Sequence, residues 1–195
     1  MAPGDTSRWP KVKRILVASS KGGCGKSTVA LLLTLTLRHK GQKVRVEDKD
    51  PQRTLTRALK DKGGTEEAGA KFCVIDVAPR HEHLEAEMAN SSLTLVPLSP
   101  TMPDVWATLD WVSKMNGKAG DIRLLWNRVR PGTLTSQPDR LKKFADQIGL
   151  PAMATQLQLR ASYHGALMLL GWEALAKVPP AREEALGLLC EVLGA

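Results

Sequence analysis

Ser20-Lys21-Gly22-Gly23-Cys24-Gly25-Lys26-Ser27-Thr28 lies between an apolar run, Arg14-Ile15-Leu16-Val17-Ala18-Ser19, and a leucine-rich stretch opening at Val29. The order reads as strand, glycine turn, helix. Glycines let such a turn aim successive backbone N–H groups at phosphate oxygens, and the helix start adds the favourable end of its dipole. In that setting Lys26 reaches the β- and γ-phosphates and Ser27 offers a hydroxyl to Mg²⁺. Gly22, Gly23, Cys24, Gly25 and Thr28 complete the expected nucleotide-binding set. A plain turn joining strand to helix is the alternative, and a third glycine directly before lysine argues against it.

The usual phosphate-loop pattern has glycine where this chain has Ser20, and a second lysine, Lys21, follows directly. The segment resembles the deviant loop, KGGxGK[ST], of the ParA/MinD group of P-loop ATPases, in which that lysine reaches the phosphates of a facing subunit. The resemblance implies ATP and Mg²⁺ as cofactors and a homodimer closed around two nucleotides. It makes Lys21 both a nucleotide-binding and a catalytic residue, alongside Lys26.

Composition fits a single α/β unit: 195 residues are enough to bury a real core. Residues 1–13 read as a short, flexible basic tail without the apolar centre of a secretion signal, and 14–195 as the ATPase domain. The apolar run Val29 to Leu37 is broken by Thr34 and Thr36 and is too short to cross a bilayer. Cys24, Cys73 and Cys190 are widely spaced and suggest neither a disulfide framework nor a zinc site. A cytoplasmic setting is expected. Net charge is +8, and Lys114, Lys118, Arg123, Arg128, Arg130, Arg140, Lys142 and Lys143 face only Asp121 and Asp139 over their stretch. Such a surplus suits a polyanion, although a solvated basic surface would look the same.

Apolar β-prone runs alternate with helical patterns, the signature of a mostly parallel sheet with helices on both faces. Strands are predicted near 14–19, at Val44 to Asp48, Phe72 to Val77, Leu93 to Leu98, Ile122 to Trp126 and Ala152 to Leu157. Helices are predicted over Thr28 to Lys40, Val105 to Met115, Gln137 to Ile148, Tyr163 to Leu170 and Ala181 to Val192. Arg53 to Lys71 reads as a short helix and then a mobile loop around Lys62-Gly63-Gly64.

Acids stand at two predicted strand ends. Glu47-Asp48-Lys49-Asp50-Pro51-Gln52 resembles the DxDPQ segment of ParA proteins, which implies that Asp50 orients the attacking water and that Asp48 supports the metal through water. Phe72-Cys73-Val74-Ile75-Asp76 looks like a Walker B strand, so Asp76 would hold a water of the Mg²⁺ shell. Ala78 replaces a proline more usual in the family, and Val77 to Arg80 would lead into the second switch. His81 and His83 lack metal-ligand spacing. Asn127 ends a strand resembling the one whose asparagine contacts adenine, an edge that an amide can match by donating and accepting together. Arg160, in a stretch resembling one that touches nonspecific DNA, is expected at a phosphate backbone with Arg128, Arg130, Lys142 and Lys143; the alternative for Arg160 is to cap or pack the following helix.

The resemblance implies a cycle: ATP closes two copies, the dimer holds DNA without sequence preference, and hydrolysis stimulated by a ParB-like adaptor and by DNA releases it. It points to partition of plasmid, chromosome or other cargo and to nucleoid association. Too few residues precede the first strand for a helix-turn-helix domain. A membrane-bound MinD-like protein is a rival, opposed by the acidic polar face of 181–193. An ATP-dependent ligase resembling dethiobiotin synthetase is another, and would not need Lys21.

Overall fold

The computed structural model describes residues 12–79, 82–115, 120–132, 138–163 and 165–194. Most of the predicted tail, together with Arg80, His81, Lys118 and Gln137, lies outside these. Five parallel strands form one sheet: β1 (Lys13–Val17), β2 (Val44–Lys49), β3 (Phe72–Val77), β4 (Leu93–Leu98) and β5 (Ile122–Trp126), in the order β2-β3-β1-β4-β5. β1 is central, and the chain turns to opposite sides of it, toward β2 and β3 and then toward β4 and β5. That reversal leaves a crevice beyond the carboxyl ends of the strands, where open α/β sheets place their ligands.

Alternation along β1 assigns the two faces. Ile15 and Val17 meet α1 (Lys26–His39) and the helices around it, whereas Leu16 and Ala18 meet α3 (Leu84–Ala89). α1 is apolar on every side and is correspondingly enclosed, with Val29 through Leu37 buried. The two threonines that interrupt it return their hydroxyls to the carbonyls one turn back, Thr34 to Ala30 at 2.8 Å and Thr36 to Leu32 at 2.6 Å, so no polar group is stranded. α6 (Gly165–Leu170), α7 (Glu173–Ala176) and α8 (Pro179–Gly194) cover α1 and that side of the sheet. On the other face lie α3, α4 (Met102–Met115) and α5 (Pro138–Ile148). α5 buries Leu141, Phe144, Ala145 and Ile148, one turn apart in pairs, and turns Arg140, Lys142 and Lys143 outward.

Three expectations need correcting. Residues 152–157 form no strand. They run parallel to β5 with the Leu124 and Met153 backbones and the Leu157 and Trp126 backbones paired at 2.8 Å, but Pro151 has no N–H, and the N–H groups of Ala154 and Thr155 go to Glu191 of α8 at 2.7 Å. The ladder is broken by a carboxylate that outcompetes a neighbouring carbonyl. The helix expected over 163–170 is a 3-10 turn at Ala161–Tyr163 followed by α6.

The loop after α2 (Thr54–Leu59), expected to be mobile, is clamped. The Arg38 guanidinium donates to Lys62 O at 2.7 Å, Gly64 O at 3.0 Å and Val44 O at 3.2 Å, while Val46 N reaches Thr65 O at 2.8 Å. Gly63 and Gly64, at φ +92° and +64°, are what bend the carbonyls toward Arg38. The loop thus covers the free edge of β2.

Candidate functional site

The glycine turn leaves β1 and enters α1 at the crevice. Gly25 caps the helix at φ +91°, and a Cβ there would sit 2.5 Å from Asn127 Nδ2, so both backbone and space demand glycine. Asn127, from the end of β5, is 6 % exposed; its amide donates to Cys24 O at 2.8 Å and its Oδ1 accepts from Arg128 N at 2.9 Å. Those bonds tie the turn to β5 and leave one amide hydrogen and one lone pair for a ligand. Arg128 adopts φ +58°, and its guanidinium donates to Gly23 O at 2.8 Å. Beside it, Thr28, Leu159, Arg160 and Tyr163 line a cleft that continues outward from the turn.

The two lysines of the turn are placed differently. Lys26 is buried, and its ammonium lies 3.3 Å from Lys21 O, a carbonyl that also receives the Ser19 hydroxyl at 2.9 Å and the Cys24 thiol at 3.4 Å. The Lys21 side chain is half exposed and ends 2.6 Å from Asp104 Oδ1.

Asp76, at the end of β3, is fully buried, and neither carboxylate oxygen has a hydrogen-bond partner. Burial pushes its carboxyl up to about 7; Asp48 and Asp50 add to that, while Ser27 and Lys26 pull the other way. An orphaned, buried carboxylate beside a hydroxyl is a donor set that a hard cation satisfies, and Mg²⁺ fits because it keeps its waters and shares itself with phosphate oxygens. Among the described residues no cluster of three or more His, Cys, Asp or Glu could hold a metal by itself.

The raised Asp76 carboxyl sets a pH dependence. Below the unfolded value of 3.8 it is neutral in both states; between there and about 7 the unfolded chain ionises while the folded one keeps its proton. The nucleotide-free protein should therefore lose stability as pH rises through that window, by at most roughly 4 kcal/mol. Thermal melts from pH 4 to 8 should show wild type falling relative to Asp76→Asn; parallel curves would contradict the assignment.

Asp48, expected to support the metal through water, is buried near the end of β2. Its Oδ2 accepts from Thr56 N at 2.8 Å and Thr56 Oγ1 at 2.9 Å, and its Oδ1 from Asp50 N at 3.3 Å, so it braces the turn into α2. Asp50 uses one oxygen on Gln52 N at 2.9 Å, which closes the turn and leaves the other oxygen without a hydrogen bond among the described residues.

Of the cations expected at DNA, Arg128, Arg130, Lys142 and Lys143 are exposed. Arg160 is partly buried and paired with α8: its Nε and Nη2 meet Glu184 Oε1 at 3.0 and 2.6 Å, and Tyr163 donates to the other oxygen at 2.7 Å. Burial and Glu184 push the Tyr163 hydroxyl up, which keeps it a donor.

Asp104, Glu184 and the Arg128 contact with Gly23 escaped sequence reasoning. An acid in the first turn of a helix is so common a dipole partner that Asp104 carried no separate signal.

Residues 15–167 match the family described as CobQ/CobB/MinD/ParA nucleotide binding domain. The Maintenance of carboxysome distribution protein A of Halothiobacillus neapolitanus is 24% identical over 189 residues, covering 81% of this chain and 85% of that protein. Protein ParA of Rhizobium radiobacter is 57% identical over 42 residues, only 22% of this chain and 19% of that one. The fold is shared with the MinD cell division protein of Aquifex aeolicus, at TM-score 0.74, 13% identity and coverage of 94% of this chain and 98% of that one. It is shared with apo McdA of Cyanothece, at TM-score 0.71 and 18% identity over 93% and 99% of the two chains.

Proposed function

The chain belongs to the CobQ/CobB/MinD/ParA nucleotide-binding domain family, and from that premise we propose that it is an ATPase that dimerises on Mg²⁺-ATP, holds DNA without sequence preference and positions a cargo with a ParB-like adaptor. The observation that carries the reading is the pair of lysines on one glycine turn: Lys26 buried with its ammonium inside the turn, Lys21 half exposed at the rim. An enzyme acting alone needs the first and has no use for the second. The carboxysome-distribution relative favours a positioning role, and the charge of +8 favours a polyanionic track.

Within this reading the backbone of 22–28 and Lys26 bind the triphosphate, and Asn127 meets the base with its remaining amide capacity. The Ser27 hydroxyl and, through water, Asp76 hold Mg²⁺, which when bound neutralises charge on the phosphate oxygens. Asp50 orients the water with its free oxygen, and Lys26 stabilises charge on the departing phosphate. Lys21 crosses to the partner's phosphates, so losing the γ-phosphate removes what holds the dimer together. Arg128, Arg130, Lys142 and Lys143 are the proposed phosphate-backbone contacts; Arg160, held by Glu184, supports the cleft wall instead.

A mobility assay on duplexes of unrelated sequence tests this. Retention should require ATP rather than ADP and should weaken by at least about tenfold between 50 and 200 mM salt. Equal retention with ADP, or none in any nucleotide, would contradict it; ATP-dependent sedimentation with anionic liposomes instead would favour the membrane-bound alternative.

A further inference from the structure

The ammonium of Lys21 is already engaged within a single protomer, 2.6 Å from Asp104 Oδ1 in the first turn of α4. We propose that Asp104 is a positioning residue for Lys21: a latch within the protomer that must release before the lysine can cross to a partner's triphosphate. The inference rests on the dimer reading above.

The acid is the fixed member of the pair. Its side chain is 16% exposed against 52% for Lys21, and its backbone is held at both ends, N to Thr101 O at 3.1 Å and O from Thr108 Oγ1 at 2.8 Å. The lysine is fixed only at its root, where the Lys21 carbonyl takes three donors. The four-carbon side chain is therefore the part that swings. One of those donors is Lys26 Nζ, the same amine that the proposed function sends to the β- and γ-phosphates. A bound triphosphate that draws Lys26 away removes a hold on the Lys21 peptide and so loosens the latch in the protomer that has loaded nucleotide.

A half-exposed ion pair retains its lysine by about threefold. A symmetric dimer needs both lysines, so the factor enters twice and raises the dimer dissociation constant by about tenfold.

Asp104→Asn keeps the shape and removes the charge; Asp104→Ala, a strong helix former, serves as a second variant should the first melt early. In the nucleotide-free monomer, acylation of Lys21 by acetic anhydride, followed by mass spectrometry, should be about threefold faster in the variant. Under Mg²⁺ and a non-hydrolysable ATP analogue, sedimentation should show the variant dimerising at about tenfold lower concentration. Equal labelling overturns the latch, and so does faster labelling when wild type and variant dimerise at the same concentration. If wild type and variant both stay monomeric, it is the dimer reading that fails, while the labelling still decides whether Asp104 holds Lys21.

Discussion

Lys21→Ala should remain a folded monomer in Mg²⁺ and ATP under conditions where light scattering shows the wild-type protein doubling its mass. Its fold should survive because the ion pair lost, Lys21 with Asp104, is half exposed and contributes less than about 1 kcal/mol. The ATP-binding surface of the protomer should survive too, since the buried Lys26 contacts the Lys21 backbone carbonyl and not its side chain. Only the contact across the dimer disappears. Truncating one member of an enclosed, hydrogen-bonded charge pair at an interface costs about 2–5 kcal/mol. Symmetry makes the change twice, so association weakens on the order of a thousandfold or more. A variant that dimerises like wild type would remove Lys21 from its proposed role.

Asp50→Ala should have the opposite outcome on assembly and as large an effect on turnover. Asp50 closes its own turn with one oxygen and keeps the other for a water. The phosphate turn, Lys26 and Lys21 are untouched by the change, so ATP still closes the dimer. Hydrolysis then proceeds without the group that orients the nucleophile and should slow by about a hundredfold or more. With the γ-phosphate retained, the dimers should persist on DNA, visible as a complex that does not decay as ATP is consumed in a parallel wild-type reaction. Wild-type turnover in this variant would show that another residue places the water.

The contrast between these variants reflects what could be read from the chain. The phosphate turn, its flanking strand and helix, and the buried strand end at Asp76 were legible because each is contiguous and each has one physical reading: glycines where φ is positive, an unbroken apolar run where both faces are covered, an acid where the run stops. Contacts between distant segments were not legible. Asp104 lies 83 residues from Lys21 and Glu184 24 residues from Arg160, and nothing in either local pattern names the other. Asp48 and Asp50 share a motif and touch through the Asp50 N–H, yet their carboxylates are used differently: Asp48 Oδ2 accepts from Thr56, while Asp50 keeps one oxygen without a hydrogen bond among the described residues. The stretch 152–157 carries strand-like residues, and a single carboxylate from α8, Glu191, breaks its ladder. Arg38, a cation in the last turn of a helix, looks like a dipole partner and is in fact the clamp on the loop after α2.

The most direct measurement is a structure of the full chain with Mg²⁺ and a non-hydrolysable ATP analogue. Two copies facing one another, with each Lys21 ammonium on the partner's phosphates and withdrawn from its own Asp104, is the predicted result. A lone protomer carrying the nucleotide, its Lys21 still against Asp104 or turned to solvent, would contradict the account.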